Sequence, residues 1–318
     1  MTTNKQQEEL QKLFVKGQLV QVHVSKWGMC ASLEQSDLKI NKELPELFRL
    51  GKKWLIPDGI RNKITRIEGQ ARTYLKRNSF KFPVADAHFV PFKTLIPVIN
   101  ELTKFREEFT TQVNEFLNNY GQYQKEVLDS NTDYRDVLEG CYPPVESIRS
   151  KFAFSIERFE ISLPEKLKDV SLEKIAAEVT LTDAEKTRIT SQLEYDRKLA
   201  TERMNSFVGE CVQALRTKVI EASNHVAEKI ARGDLISRTN INTLDDVTQN
   251  FLALNFFNDK DVEAQINNLR SLVTSNRDFK RKDAIKELGT ALSTLTTEIS
   301  KVADARTLTG EFFRNIEL

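Results

Sequence analysis

Apolar residues recur along this chain at two different periods, and the switches between them mark out its elements. From Gln18 to Ser25 the pattern alternates, with Val20, Val22 and Val24 on one side and Gln21 and His23 on the other. A period of two rich in β-branched residues predicts a half-buried strand. Residues 1–16 read as a short polar helix before it, and Trp27-Gly28 as a turn after it. From Asp58 to Arg77 the period becomes helical: Ile60, Ile64, Ile67, Ala71 and Tyr74 lie four, three, four and three residues apart. Pro57 and Asp58 are start signals for that helix. Asn78 to Pro91 reads as an extended segment.

The next stripe is the most regular of the N-terminal half. Leu102, Phe105, Phe109, Val113, Phe116, Tyr120, Tyr123 and Val127 follow at intervals of three or four. They predict one helix of about 25 residues, about 38 Å long, with core aromatics and a kink site at Gly121. Pro143-Pro144 ends a second short helical stretch. Phe152, Phe154 and Ile156 alternate, and Phe159 and Ile161 resume after a one-residue slip. This predicts a bulged strand paired with Val20–Val24.

Thr182 opens a helix that nothing interrupts before Arg232. Met204, Val208, Cys211, Leu215, Val219, Ala222, Val226 and Ile230 form its stripe, and Gly233 stands where the helix should end. Leu244 to Phe257 predicts a short helix, and Asp259 to about Ala305 one long final helix. Ile285, Leu288, Leu292, Leu295, Ile299 and Val302 keep a 3-4-3-4-3 seam, which is coiled-coil spacing. These six are the candidate helix–helix interface, inside the chain or against another subunit. The expected fold is mostly α with a small β element. An N-terminal α+β domain with a long aromatic-striped helix covers residues 1–162 and a connector covers 163–182. A long-helix hairpin or coiled-coil-like bundle covers 183–318.

Composition agrees with this picture. Only 11 Gly and 8 Pro in 318 residues leave room for long helices, and 40% hydrophobic with 29% charged residues suits a folded chain. Cys30, Cys141 and Cys211 are an odd, dispersed set, as expected of reduced thiols in the cytoplasm. The N-terminus lacks an apolar leader, and no stretch approaches the roughly 20 apolar residues of a membrane span. A cytoplasmic protein without membrane association is expected.

Candidate chemistry is sparse. His23, His88 and His225 have no metal-ligand spacing, and phosphate-loop, dinucleotide and G-x-S-x-G motifs are absent. Asp259, Asp261 and Glu263 alternate at a helix start, where carboxylates are stabilised by free N–H groups and the macrodipole. They lack the central Gly of a calcium loop. No catalytic, cofactor-binding or metal residues are expected, and the chain reads as a non-enzymatic structural or interaction protein.

One charge pattern changes that picture. Arg49 to Lys81 holds ten basic residues against Asp58 and Glu68, although the net charge of the chain is only +1. The bases from Arg61 to Arg77 lie away from the Ile60/Ile64/Ile67 stripe. Arg61, Arg72 and Lys76 are the candidate contacts for an anionic partner such as nucleic acid, lipid or an acidic protein surface; the alternative is a solvated face.

Four segments in fixed order carry a resemblance: VQVHVSKWG, KKWLIPDGIRNKITRIEGQARTYLKR, LTKFREEFTTQVNEFLNNY and YPPVESIRSKFAFSIERFEI. The chain resembles an uncharacterised bacterial and phage family, a domain of unknown function. Genes of that family are often found beside a MoxR-type AAA+ ATPase and a von Willebrand factor A protein of the cobaltochelatase-like kind. The resemblance implies an accessory or adaptor subunit of such a system and carries over no catalytic residues. It covers the first half of the chain. The other readings are a nucleic-acid-associated phage or mobile-element protein using the basic helix, or a virion or filament component.

Overall fold

A computed structural model describes residues 13–38, 50–83, 85–160, 182–275 and 282–301. In chain order the elements are β1 (Gly17–Ser25), β2 (Cys30–Ser32), β3 (Lys52–Trp54), α1 (Asp58–Arg77), β4 (Phe80–Lys81), β5 (His88–Pro91) and α2 (Phe92–Asn118). There follow α3 (Tyr120–Ser130), α4 (Arg135–Glu139), α5 (Val145–Arg149), β6 (Ala153–Phe159), α6 (Asp183–Arg232), α7 (Arg238–Leu254), α8 (Lys260–Ser275) and α9 (Lys282–Lys301). The protein is mostly α-helical with a small antiparallel sheet: an N-terminal α+β region precedes a helical C-terminal part.

Contacts group the chain into two units. One is Val20–Arg77 with Ile96–Arg158, and the other is Met1–Leu19 with Asn78–Leu95 and Phe159–Leu318. This division differs from the sequence-based one at residues 162 and 183, because the segment Asn78–Leu95 packs with the C-terminal helices.

In the α+β unit, β1 lies beside β6, as the two alternating patterns predict. The strands β2 and β3 form an antiparallel ribbon with Cys30 opposite Trp54 and Ala31 opposite Lys53. The helix α1 spans the predicted residues, starting after Pro57 and ending on Lys76 and Arg77, whose charge suits a helix C-terminus. It buries Ile64, Ile67, Ala71 and Leu75; Tyr74 of the predicted stripe is half-buried and Leu75 takes the inner position. The core gathers Trp27, Met29, Leu55, Ile56, Phe109, Phe116, Tyr120 and Ile148. Tyr120 donates its hydroxyl proton to the Pro143 carbonyl at 2.9 Å, and burial pushes its pKa up to about 12.

The aromatic stripe differs from prediction in two ways. Its helix begins at Phe92 rather than near Leu102, and it is broken at Asn119 into α2 and α3. At Asn119 the backbone departs from helical angles (φ -103, ψ 9), although its N–H and its side-chain amide both donate to the Glu115 carbonyl, at 3.1 Å and 2.8 Å. The stripe nevertheless continues across the break, with Phe116 and Tyr120 both buried.

The helical unit closes differently from a two-helix hairpin. The predicted final helix from Asp259 to Ala305 is two helices, α8 and α9, that pack on each other. Residues 276–281 and 302–305 lie outside the described residues, as do the predicted polar helix up to residue 12 and most of the connector. The helix α6 packs on α7 and α9, and α8 packs on α7 and α9, making a four-helix bundle. The pair α7 and α8 run antiparallel, since Asp245 meets Arg270 at one end and Asn255 meets Glu263 at the other. The apolar positions of α8 (Val262, Ile266, Leu269) and α9 (Leu288, Leu292, Leu295) are all at most 1% exposed, so each helix needs the other three.

Helix ends follow local chemistry. Gly233 has φ +75, and its N–H donates to Ile230 while Asp234 donates to Lys229. This is the paired closure in which only glycine sits without a Cβ penalty. The start of α7 is a capping box between Ser237 and Asn240. The start of α8 is capped by Asp259, whose backbone carbonyl accepts from Glu263. The Asp259 carboxylate also meets the guanidinium of Arg216 at 2.8 Å, with side-chain exposures of 1% and 9%.

The hairpin of β4 and β5, with Phe80 opposite Phe89, covers the bundle. Phe82 and Phe89 stand 5.1 Å and 5.8 Å from Phe207, and Phe89 stands 5.0 Å from Phe256. Gly17, at the start of β1, faces Phe89 so closely that a Cβ there would lie 2.5 Å from the ring.

Two outcomes follow. Asp259→Ala removes the carboxylate that the buried Arg216 Nε meets at 2.8 Å and lowers unfolding free energy by about 3–5 kcal/mol in urea titration. Asp259→Ala with Arg216→Met recovers most of that loss. In thiol labelling, Cys211 stays unmodified until the chain unfolds, because burial raises its thiol pKa well above the ordinary value. Cys30 and Cys141, which are partly exposed, react first.

Candidate interaction surfaces

The helix α1 presents a buried side and a basic side, and the structure sorts its bases by what holds them. Arg61 is spoken for locally. Its guanidinium lies 3.6 Å above the centre of the Trp54 ring, its Nε donates to the Ile56 carbonyl at 3.2 Å, and it pairs with Asp58. Stacking an arginine on an indole is worth about 0.5–1 kcal/mol at a partly exposed site. Arg61 therefore fastens β3 to the first turn of α1.

Arg72 is half-exposed and pairs with Glu68 at 3.0 Å, and Glu68 also takes a 2.7 Å contact from Lys26. Burial works against ionisation of Glu68, but the hydrogen bonds from Lys26 and Arg72 outweigh it and hold its carboxyl below the ordinary value. Lys76 is exposed. Lys63 and Arg66, which the sequence reading did not select, are exposed as well. None of Lys63, Arg66 and Lys76 makes an ion pair among the described residues. The predicted trio thus separates into one structural residue, one paired residue and one exposed cation.

A second charged surface of the same unit lies in a stretch that the sequence reading did not select, although residues 126–139 hold five acids against one base. Glu126, Asp129, Asp133, Asp136 and Glu139 are all exposed where α3 turns into α4. Arg135 is the one base in that stretch, and it sits 3.6 Å from Asp129. Three short elements share these acids, so no single periodic pattern collects them.

Elsewhere ionic groups serve the framework. Asp37 and Lys53 meet at 2.7 Å. The hydrogen bond from Lys53 and one from the Glu34 amide keep the Asp37 carboxyl below its usual value; the same contact raises the Lys53 pKa. Asp259 caps α8 and pairs with Arg216, which accounts for one of the alternating acids at that helix start. His23 and His225 are exposed, and the His88 ring lies 2.9 Å from the Ser79 hydroxyl. Among the described residues no three His, Cys, Asp or Glu side chains cluster as metal ligands would.

The seam residues lie inside the bundle. Leu288, Leu292 and Leu295 are fully buried and Ile299 nearly so, in one cluster with Val208, Leu215 and Val219 of α6. Ile285 is half-buried at the edge of that cluster, and Val302 lies outside the described residues. With the bundle closed, the buried four are covered by the chain itself.

Folded helices without a membrane-length apolar span among the described residues, together with solvent-facing charged surfaces, define a predominantly helical protein whose outer faces are ionic. Residues 16–185 match the model of the family described as "Protein of unknown function (DUF3150)". The match covers more than half of the chain, and the chain belongs to that family. It runs from β1 to the first turn of α6 and leaves the rest of the bundle outside. No curated protein and no solved structure matches the chain.

The Lys26–Glu68–Arg72 group makes a pH-dependent contribution. A carboxyl with a depressed folded pKa adds stability above its unfolded value, 4.5 for Glu, and loses it as pH falls through the folded value. Glu68→Gln lowers stability by about 0.5–1 kcal/mol at neutral pH. Melting curves taken from about pH 6 down to about pH 3 show that gap closing.

Proposed function

We propose that this chain is a non-enzymatic interaction protein of the cytoplasm, an accessory or adaptor subunit of a system built on a MoxR-type AAA+ ATPase and a von Willebrand factor A protein. The assignment of partners rests on the resemblance of the four N-terminal segments. The observation that carries the interaction reading is the outer side of α1. Its inner side is fixed by Ile64, Ile67, Ala71 and Leu75, while Lys63, Arg66 and Lys76 face solvent without an ion-pair partner among the described residues. A cationic face on a helix already anchored in a core loses little conformational freedom when it binds.

The binding test uses the full chain with a MoxR-type AAA+ ATPase and a von Willebrand factor A protein of the cobaltochelatase-like kind, in size exclusion with light scattering. A joint peak that persists at physiological salt is expected. Separate elution of all three proteins in every nucleotide state would refute the assignment. Strong duplex DNA binding that falls steeply with salt would instead favour the nucleic-acid reading.

A further inference from the structure

We infer that copies of this chain associate with one another through opposite charges, the exposed basic side of α1 in one copy meeting the acidic α3–α4 turn of another. The proposal builds on the reading of the chain as an interaction protein, but not on the identity of its ATPase partner.

Both halves of the contact lie in the α+β unit and both are exposed. Lys63, Arg66 and Lys76 supply positive charge, and the first and last, 13 positions apart, are separated by about 20 Å along a helix. Glu126, Asp133, Asp136 and Glu139 supply negative charge, and like those three bases they make no ion pair among the described residues. Among the described residues neither set is neutralised by an ion pair of its own.

Charge bookkeeping favours a second copy over a polyanion. The chain as a whole carries a net charge of +1, so two copies approach without long-range repulsion, and near-neutral proteins associate readily. A nucleic acid reaching α1 would gain little from the overall field of a chain whose net charge is +1. A second copy presents the opposite pattern to each surface. Because the two patches are different surfaces, a dimer makes both contacts at once, and any other geometry repeats the contact from copy to copy.

Full-length protein is measured by light scattering over a range of concentrations at about 50 mM and about 500 mM salt. Expected is a mass above the monomer at low salt that falls towards the monomer at high salt. A variant with Lys63→Glu, Arg66→Glu and Lys76→Glu, and another with Asp133→Lys, Asp136→Lys and Glu139→Lys, each weaken association at least about tenfold. Mixing the two variants restores it, since each then offers the other a complementary face. Circular dichroism checks that both variants fold, and the salt response of the unaltered chain stands without them. A chain that is monomeric at low salt overturns the proposal, as does association indifferent to salt and to both reversals. A monomer whose α1 bases bind duplex DNA also overturns it and assigns the face to nucleic acid. A monomer that still captures the ATPase overturns this inference alone; self-association without ATPase capture overturns only the assignment of partners.

Discussion

The apolar side of α6 is the surface on which the helical unit is assembled. Phe207, Val208, Cys211, Val212, Leu215, Val219 and Val226 are each at most 2% exposed, yet a single helix in water has nothing of its own to cover them. Fully burying side chains of this size is worth about 1.5–3 kcal/mol each, so the rest of the unit is arranged to supply cover. The helices α7 and α9 pack directly on it, α8 completes the same cluster from across the bundle, and the β4–β5 hairpin adds Phe82 and Phe89 around Phe207. The chain comes back from residue 78 to the bundle for this reason, and the boundary between units follows buried surface rather than sequence order.

Much of this was legible residue by residue. Pro57-Asp58 and the closing pair Lys76-Arg77 bound α1, and Gly233 marks the end of α6, because start and stop chemistry acts over a few residues and leaves a local trace. The break between α8 and α9 left a subtler one. From Val273 to Ala284 is eleven residues, three helical turns, so the apolar stripe keeps its phase across the gap. The interruption shows in TSNRDFKRKD, residues 274–283, where Phe279 is the one apolar side chain. Weighing that polar run above the preserved phase would have found two helices.

The interaction surfaces were less legible, for physical reasons. Arg61 looks like an exposed base on a helical wheel, but Trp54 comes from a strand seven residues earlier, and only folding brings ring and guanidinium together. The acidic turn combines α3, a 3-10 turn at Thr132–Tyr134 and α4, and surface charge gathered from several elements has no period. Buried positions are constrained by packing and so imprint a repeat. Exposed ones are constrained only by what meets them, and that constraint is not written along one chain.

Asp259 serves two structural tasks from a connection rather than from within a helix. It ends the turn after α7, where Asn255 accepts its amide proton at 2.9 Å, and it anchors Arg216 from the middle of α6. Loops between bundle helices are ordinarily where solvent first enters. Here the turn is fixed to the core by a buried charge pair, and a shift of one helical turn between α6 and α8 would pull the two charges apart. The connection therefore acts as a key for helix alignment, and amide hydrogens around it should exchange with solvent on the timescale of the whole bundle opening, not of a surface loop breathing.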